Sequence, residues 1–297
     1  MNKLMRKLSI SILAVVFAVI AMGATTFAWF TLTNTAKVSQ FEIDVTSAEG
    51  IELSVVDGVW ATTISGSVIE GLTGVSGAKL TAVTTPDGEA TFKTLDTLSQ
   101  TGAYTLKGAD AGSHFAQFTI KVRTRTASTP IYIDHLNTSI ASSGISWQPD
   151  TSFTRSDGAT ITEETSPFIV YASHSARMSF DGDSTVIYED TSAGTSGQSS
   201  DWTKGALNYF AAKNNYTGMG VITPAISAYT SKPVGVAEGT VIATTANALD
   251  DDGWSETTID VRIWLEGWDA ECYNAIFSDT LQITIGFTTV DPTAPID

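Results

Sequence analysis

Cysteine, histidine and positive charge are all scarce in this chain. The single cysteine, Cys272, excludes an internal disulfide framework and leaves two readings: pairing with a second molecule, or burial as a small apolar side chain, with burial expected. His114, His135 and His174 are the three histidines, and they stand far apart without the paired spacing of a metal motif. Lys and Arg total 16 against 32 Asp and Glu. Clustered cations that would neutralise phosphates are therefore missing, and nucleic acid is not an expected partner. No Gly-x-Ser-x-Gly turn occurs, and the Gly-rich run Gly66 to Gly77 lacks the Gly-Lys-Ser/Thr ending of a phosphate loop. No catalytic residue is assigned, and an enzyme is not the expected class.

A long apolar run occurs once, at the start. Lys3, Arg6 and Lys7 precede an uncharged stretch from Leu8 to Ala24, after which small residues follow, the charged, apolar, small order of a secretory signal. Ala24 and Ala28 both suit the position before a cut. Retention competes with cleavage, because the uncharged stretch Leu8 to Phe30, at about 1.5 Å per residue, is just long enough to cross a bilayer as a helix. Either way the basic flank places the bulk of the chain outside. A cut after Ala28 removes three cations and leaves 13 basic against 32 acidic residues, a net charge of −19 on 269 residues. That charge keeps monomers apart at low salt and makes divalent cations candidate bridges between subunits.

The remainder reads as strand after strand. Phe41, Ile43 and Val45 alternate with polar residues, as do Ala116 to Val122, Ile259 to Leu265 and Leu281 to Phe287. Asp57-Gly58 joins Ile51 to Val56 and Val59 to Ile64 as a hairpin, Asp181-Gly-Asp183 does the same between Phe168 to Phe180 and Ser184 to Glu189, and Pro86-Asp-Gly88 is a turn. Further strands are expected at Ile131 to Leu136, Val221 to Tyr229 and Gly239 to Thr245, with a loop or poorly ordered edge over Gly66 to Gly77. One soluble helix is expected over Asp201 to Tyr216, capped by Asp201, with Leu207, Phe210 and Ala211 on its buried face. The expected architecture is all-β: an antiparallel, jelly-roll-like sandwich over residues 41–290 with one short helix. A signal peptide or retained apolar helix (1–28) and an extended arm (29–40) precede it, and an extended tail (291–297) follows.

Two sets of acids are candidate calcium ligands: Asp250, Asp251 and Asp252 in one turn, and Glu266, Asp269 and Glu271 in another. Oxygen-rich loops suit Ca²⁺, although the spacing is not that of an EF-hand, and solvated turn charge is the competing reading. No other cofactor is expected. Trp254, Trp264 and Trp268 cluster near these acids as a candidate sugar platform. By alternation, however, Trp264 points away from the Ile259/Val261/Ile263/Leu265 face, where a second layer or a neighbouring subunit would cover it.

The stretch Thr25-Thr-Phe-Ala-Trp-Phe-Thr31, an apolar run meeting Ala-Trp-Phe and then an extended segment, resembles the signal peptides of TasA-type (camelysin-like) matrix proteins. The resemblance covers about the first 35 residues. A looser likeness at Val261-Arg-Ile-Trp-Leu-Glu-Gly-Trp-Asp-Ala-Glu-Cys272 is to a strand and turn of Gram-positive surface proteins with this kind of signal. The resemblance implies cleavage after Ala28 by a dedicated (SipW-type) signal peptidase, a mature N-terminus at Trp29 and secretion to the cell surface. It also implies head-to-tail self-assembly, each subunit passing its N-terminal strand to the next. Trp29, Phe30, Leu32 and Val38 are the expected anchors of that arm. Two alternatives stay open: a surface-anchored module that binds matrix polysaccharide, and a pilin-like subunit that keeps its N-terminal helix.

Overall fold

A computed structural model describes residues 41–48, 50–76, 80–98, 103–162, 166–189, 203–216 and 239–292. The leader with Ala28, the arm with Trp29, Phe30, Leu32 and Val38, the Asp201 cap and the expected strand Val221 to Tyr229 lie outside the described residues.

In chain order the strands begin with β1 (Phe41–Ser47), β2 (Ile51–Val56), β3 (Val59–Ala61), β4 (Thr63–Ile64), β5 (Ala82–Val83), β6 (Lys93–Leu98), β7 (Tyr104–Gly108) and β8 (Ala116–Thr124). There follow β9 (Pro130–Ile133), β10 (Ser139–Ser142), β11 (Ile145–Trp147), β12 (Phe153–Thr154), β13 (Thr160–Ile161) and β14 (Phe168–Val170). The last five are β15 (Ala176–Asp181), β16 (Thr185–Tyr188), β17 (Ala243–Thr244), β18 (Ser255–Glu266) and β19 (Leu281–Thr288). Helix is sparse, at Gly66–Glu70 and Gly205–Lys213, with 3-10 turns at Ala172–His174 and Asn274–Ser278. The chain is all-β.

Two larger sheets carry the core. One runs β16-β15-β18-β8-β2-β3 with β5 added to β18, and the other runs β17-β9-β19-β1-β4 with β10 added to β19. Alternation decides their inner faces: Phe118, Ile120 and Val122 of β8, Ile259, Val261 and Ile263 of β18, and Leu281, Ile283, Ile285 and Phe287 of β19 are all buried in one cluster. Phe180 and Phe287 meet edge-on across the two sheets, with ring centroids 6.0 Å apart. Both Asp-Gly hairpins form, β2 with β3 around Gly58 at φ 79° and β15 with β16 around Gly182.

Three expectations are corrected. Pairing is not antiparallel throughout: β1 runs parallel to β19, Phe41 opposite Leu281 through Ser47 opposite Phe287, and β5 runs parallel to β18. The stretch Gly66 to Gly77 is no loose edge over its described part, because Ile69 and Val75 are buried and Gly74 lies flat on β8. A Cβ on Gly74 would stand 2.0 Å from the Gln117 carbonyl oxygen, so only glycine permits that approach. The helix starts at Gly205, not at Asp201. Gly205 has φ 77°, and a side chain there would meet the Ala270 carbonyl at 2.6 Å; Leu207, Phe210 and Ala211 are buried as read.

β18 departs from period two. From Val261 to Ala270 every residue is buried: β5 extends the sheet beside Leu265 and Glu266, and Val83, Phe92 and Phe115 pack on the outer face. Trp264 is completely covered there by Val83, Phe92 and Phe115, with Phe92 edge-on at 5.3 Å.

Candidate functional site

The turn after β18 and the segment from β14 to β15 meet at one end of the sheet. The Glu266 N–H donates to the Ser175 carbonyl at 2.7 Å and the Gly267 N–H to the Val83 carbonyl at 2.8 Å, which fixes the turn. Below the surface, Arg177 occupies the outer face opposite Trp264 in the β15/β18 register. Its Nε lies 2.9 Å from Glu189 Oε2 and its Nη2 donates to Asp269 Oδ2 at 2.6 Å, all three side chains being no more than 2% exposed. Nη1 donates to the Ala176 carbonyl at 2.9 Å. A buried guanidinium is tolerated when its donors are matched in this way.

Glu266 lies in the same buried region, accepting from Trp264 Nε1 at 3.3 Å and from the Trp268 N–H at 3.1 Å. Burial pushes its carboxyl up to about 7, against the pull of these hydrogen bonds and of Arg177. Asp269 is likewise pushed up by burial, to about 6, with Arg177 opposing. Cys272 is a free, buried thiol whose pKa is driven up by burial and by the neighbouring Asp269 and Glu266 carboxylates, which makes it a poor nucleophile and a poor partner for disulfide exchange.

Above this layer a cavity of about 160 Å³ opens, lined by Phe168 to Tyr171, Arg155, His174, Glu271 and Tyr273. Glu271 is its centre: Oε2 takes a short contact from His174 Nδ1 and Oε1 accepts from the Ser156 hydroxyl at 2.7 Å. Both the His174 and Glu271 side chains are mostly covered. Hydroxyl to carboxylate to imidazole is not the order of a nucleophilic triad, in which the imidazole stands between the other two. The Tyr273 hydroxyl, on a residue 2% exposed, has no hydrogen-bond partner among the described residues. Arg155 is committed to Asp157 at 2.6 Å and lies over the Phe168 ring at 5.1 Å. Behind the cavity Trp147 meets Phe168 edge-on at 5.4 Å and Tyr273 at a tilt at 5.0 Å between ring centroids, so the wall is an aromatic cluster. β14 pairs with β11 and, among the described residues, with no second strand; Ile169 on it is 48% exposed.

The sequence candidates are partly dispersed by this arrangement. Asp250, Asp251 and Asp252 sit in an exposed turn, where Asp250 Oδ1 accepts from the backbone N–H of Asp252 and of Trp254 at 3.0 and 2.8 Å. Glu266 and Asp269 are buried against protein donors, and Glu271 faces the cavity. Among the described residues no three His, Cys, Asp or Glu side chains are grouped to hold a metal, so the two acidic sets do not form the calcium site considered above. The tryptophan platform also fails as a unit. Trp264 is fully buried and Trp268 is 5% exposed against Tyr104, whereas Trp254 lies elsewhere, sandwiched between Arg123 at 4.0 Å and Arg125 at 3.6 Å. Of the histidines, His114 accepts the Asp110 N–H at 3.0 Å and His135 lies near Tyr188, so His174 alone reaches the cavity.

Sequence reasoning missed Arg177 and the His174/Glu271 pair. Arg177 carried a readable signal, since alternation from Met178 and Phe180 puts it on the outer face. No protein-family model, curated protein or solved structure matches the chain.

Proposed function

We propose that the chain is an exported structural subunit that polymerises by lending its N-terminal arm to the next copy, after a signal peptidase has cut behind Ala28. One observation carries this reading: the arm runs directly into β1, and β1 is rooted inside a sheet. Seven consecutive residues of β1 face seven of β19, and β4 holds its other side at Val45 and Thr46. A segment anchored at that depth transmits load from its own subunit to whatever its free end grips, which a linker hung from an exposed loop does not. Extended Thr-rich sequence with aromatics at the tip suits addition to a strand edge, where main-chain hydrogen bonds give affinity and alternate side chains fill pockets. Donor and acceptor surfaces differ in such a contact, so it repeats head to tail and grows a fibre. The subunit acts outside the cell, and its partner is another copy of itself.

The polysaccharide reading loses support from the burial of Trp264 and Trp268. Deletion of residues 29–38 from the mature protein tests the proposal. The expected product is a folded monomer by far-UV circular dichroism and sedimentation, with no filaments by negative-stain microscopy. Filaments of normal length from the deleted protein overturn the proposal.

A further inference from the structure

If one copy lends its arm to the next, the receiving molecule must present an unpaired strand edge, a slot for an aromatic tip and a group that welcomes a new N-terminus. Resting on the function proposed above, we infer that the cavity beside β14 is that receptor: the first residues of a second copy's arm add to the free edge of β14, Trp29 fills the cavity and its α-ammonium pairs with Glu271.

Each part of the fit has its own observation. β14 is bonded on one side by β11 and, among the described residues, by no strand on the other, so its outer backbone groups are available to an extended segment. All three β14 residues and Tyr171 line the cavity, which places the strand edge and the slot side by side. The volume of about 160 Å³ is ring-sized, since an engineered cavity of roughly 150 Å³ in another protein takes up benzene. Phe168, Tyr171 and Tyr273 give it aromatic walls.

Charge selects an N-terminus over an internal aromatic residue. Arg155, the cation lining the cavity, is already held by Asp157, whereas the Glu271 carboxylate faces the cavity from between the Ser156 hydroxyl and His174. A free α-amino group, with an ordinary pKa of about 8, is largely cationic at neutral pH and brings three donors. Twelve residues, 29–40, at about 3.3 Å each in extended form, give an arm of roughly 40 Å, long enough to bridge two adjacent subunits. Signal cleavage is then the step that creates the ligand, because the ammonium on residue 29 does not exist before the cut.

A cysteine pair tests the geometry in the full mature protein. Thr31→Cys with Ile169→Cys, oxidised during assembly, is expected to give a ladder of covalent dimers, trimers and longer species on a non-reducing gel, and each single variant none; native Cys272 is buried and stays out of the reaction. A cross-link confined to the monomer shows the arm on its own cavity and overturns the inference, as does the absence of any cross-link while the pair variant still forms filaments. Glu271→Gln is expected to raise the critical concentration for assembly at least tenfold with its unfolding midpoint preserved; assembly at the wild-type concentration by a folded Glu271→Gln protein also overturns the inference. The two proposals fail separately. Loss of filaments on deleting residues 29–38, together with no cross-link to residue 169, leaves the donor arm standing and removes this receptor, whereas filaments without the arm remove both.

Discussion

Glu266 makes the stability of this fold depend on pH in a direction opposite to that of most carboxylates. Its carboxyl is enclosed, faced by Arg177 from β15, by Thr84 next to β5, and by Trp264 and Trp268 from its own strand and turn, with Asp269 and Cys272 nearby. Burial raises it from an ordinary 4.5 to about 7. A folded-state pKa above the unfolded one means that between pH 4.5 and 7 the folded chain keeps a proton that the unfolded chain releases. The linkage therefore costs nothing below about pH 4.5, grows as pH rises, and levels off above about 7, where both states are ionised. The difference of about 2.5 pH units, at roughly 1.4 kcal/mol each, is a total loss of about 3–4 kcal/mol. Asp269, raised to about 6, loses in the same direction between its ordinary 3.8 and that value. Repulsion among the exposed acids also grows with pH, so the wild-type slope alone is not diagnostic. Glu266→Gln isolates the effect: the amide keeps an acceptor for the Trp264 and Trp268 N–H groups and does not ionise. Urea unfolding at pH 5, 6, 7 and 8, followed by far-UV circular dichroism, should show the variant losing about 2–3 kcal/mol less than wild type between pH 5 and pH 8, the part of the total that falls in this window. Equal pH slopes for the two proteins refute the reasoning.

Other perturbations have equally definite outcomes. Trp264→Ala empties the space between β18 and the Val83, Phe92 and Phe115 side chains and should cost about 3–5 kcal/mol in chemical denaturation, with no change in retention on polysaccharide columns. Gly205→Ala forces a side chain into a left-handed backbone and against the Ala270 carbonyl; a loss of roughly 1–2 kcal/mol or more, read as a lower unfolding midpoint, is expected. Cys272→Ser should leave the non-reducing gel of secreted protein unchanged, since the thiol is enclosed, and a dimer band confined to wild type contradicts that. Removing calcium with a chelator should not move the melting temperature, because Asp250 is engaged by backbone N–H groups and Glu266 and Asp269 by buried donors.

What was legible in the sequence follows from what period-two alternation encodes. Where one face meets the core and the other meets solvent, as over Ala116 to Val122 of β8, the pattern assigns strand and face together. Asp57-Gly58 gave its turn because glycine removes a local steric conflict that no distant residue needs to settle, whereas at Asp181-Gly-Asp183 the glycine also makes room for the Ile242 carbonyl, about 60 positions away and absent from any local pattern. Alternation carries no record of which strands become neighbours, and so β1 beside β19, with Phe41 opposite Leu281 at a separation of 240 positions, was out of reach in direction and partner alike.

The candidate site was less legible for a related reason. An acid in a turn looks the same whether it faces water, as Asp251 does, or a guanidinium, as Asp269 does, because the difference lies in a partner 92 positions away. Burial of both faces over Val261 to Ala270 turns residues that read as a solvent face into a second interior, and there polar side chains must find one another. Arg177 does so with Glu189 and Asp269, and this fixes the turn that carries Glu271 to the cavity mouth. The enclosed charge layer and the cavity are thus one construction: loosening Arg177 should displace Glu271 through Asp269, whose carboxylate takes the Arg177 guanidinium on one oxygen and the Glu271 N–H on the other.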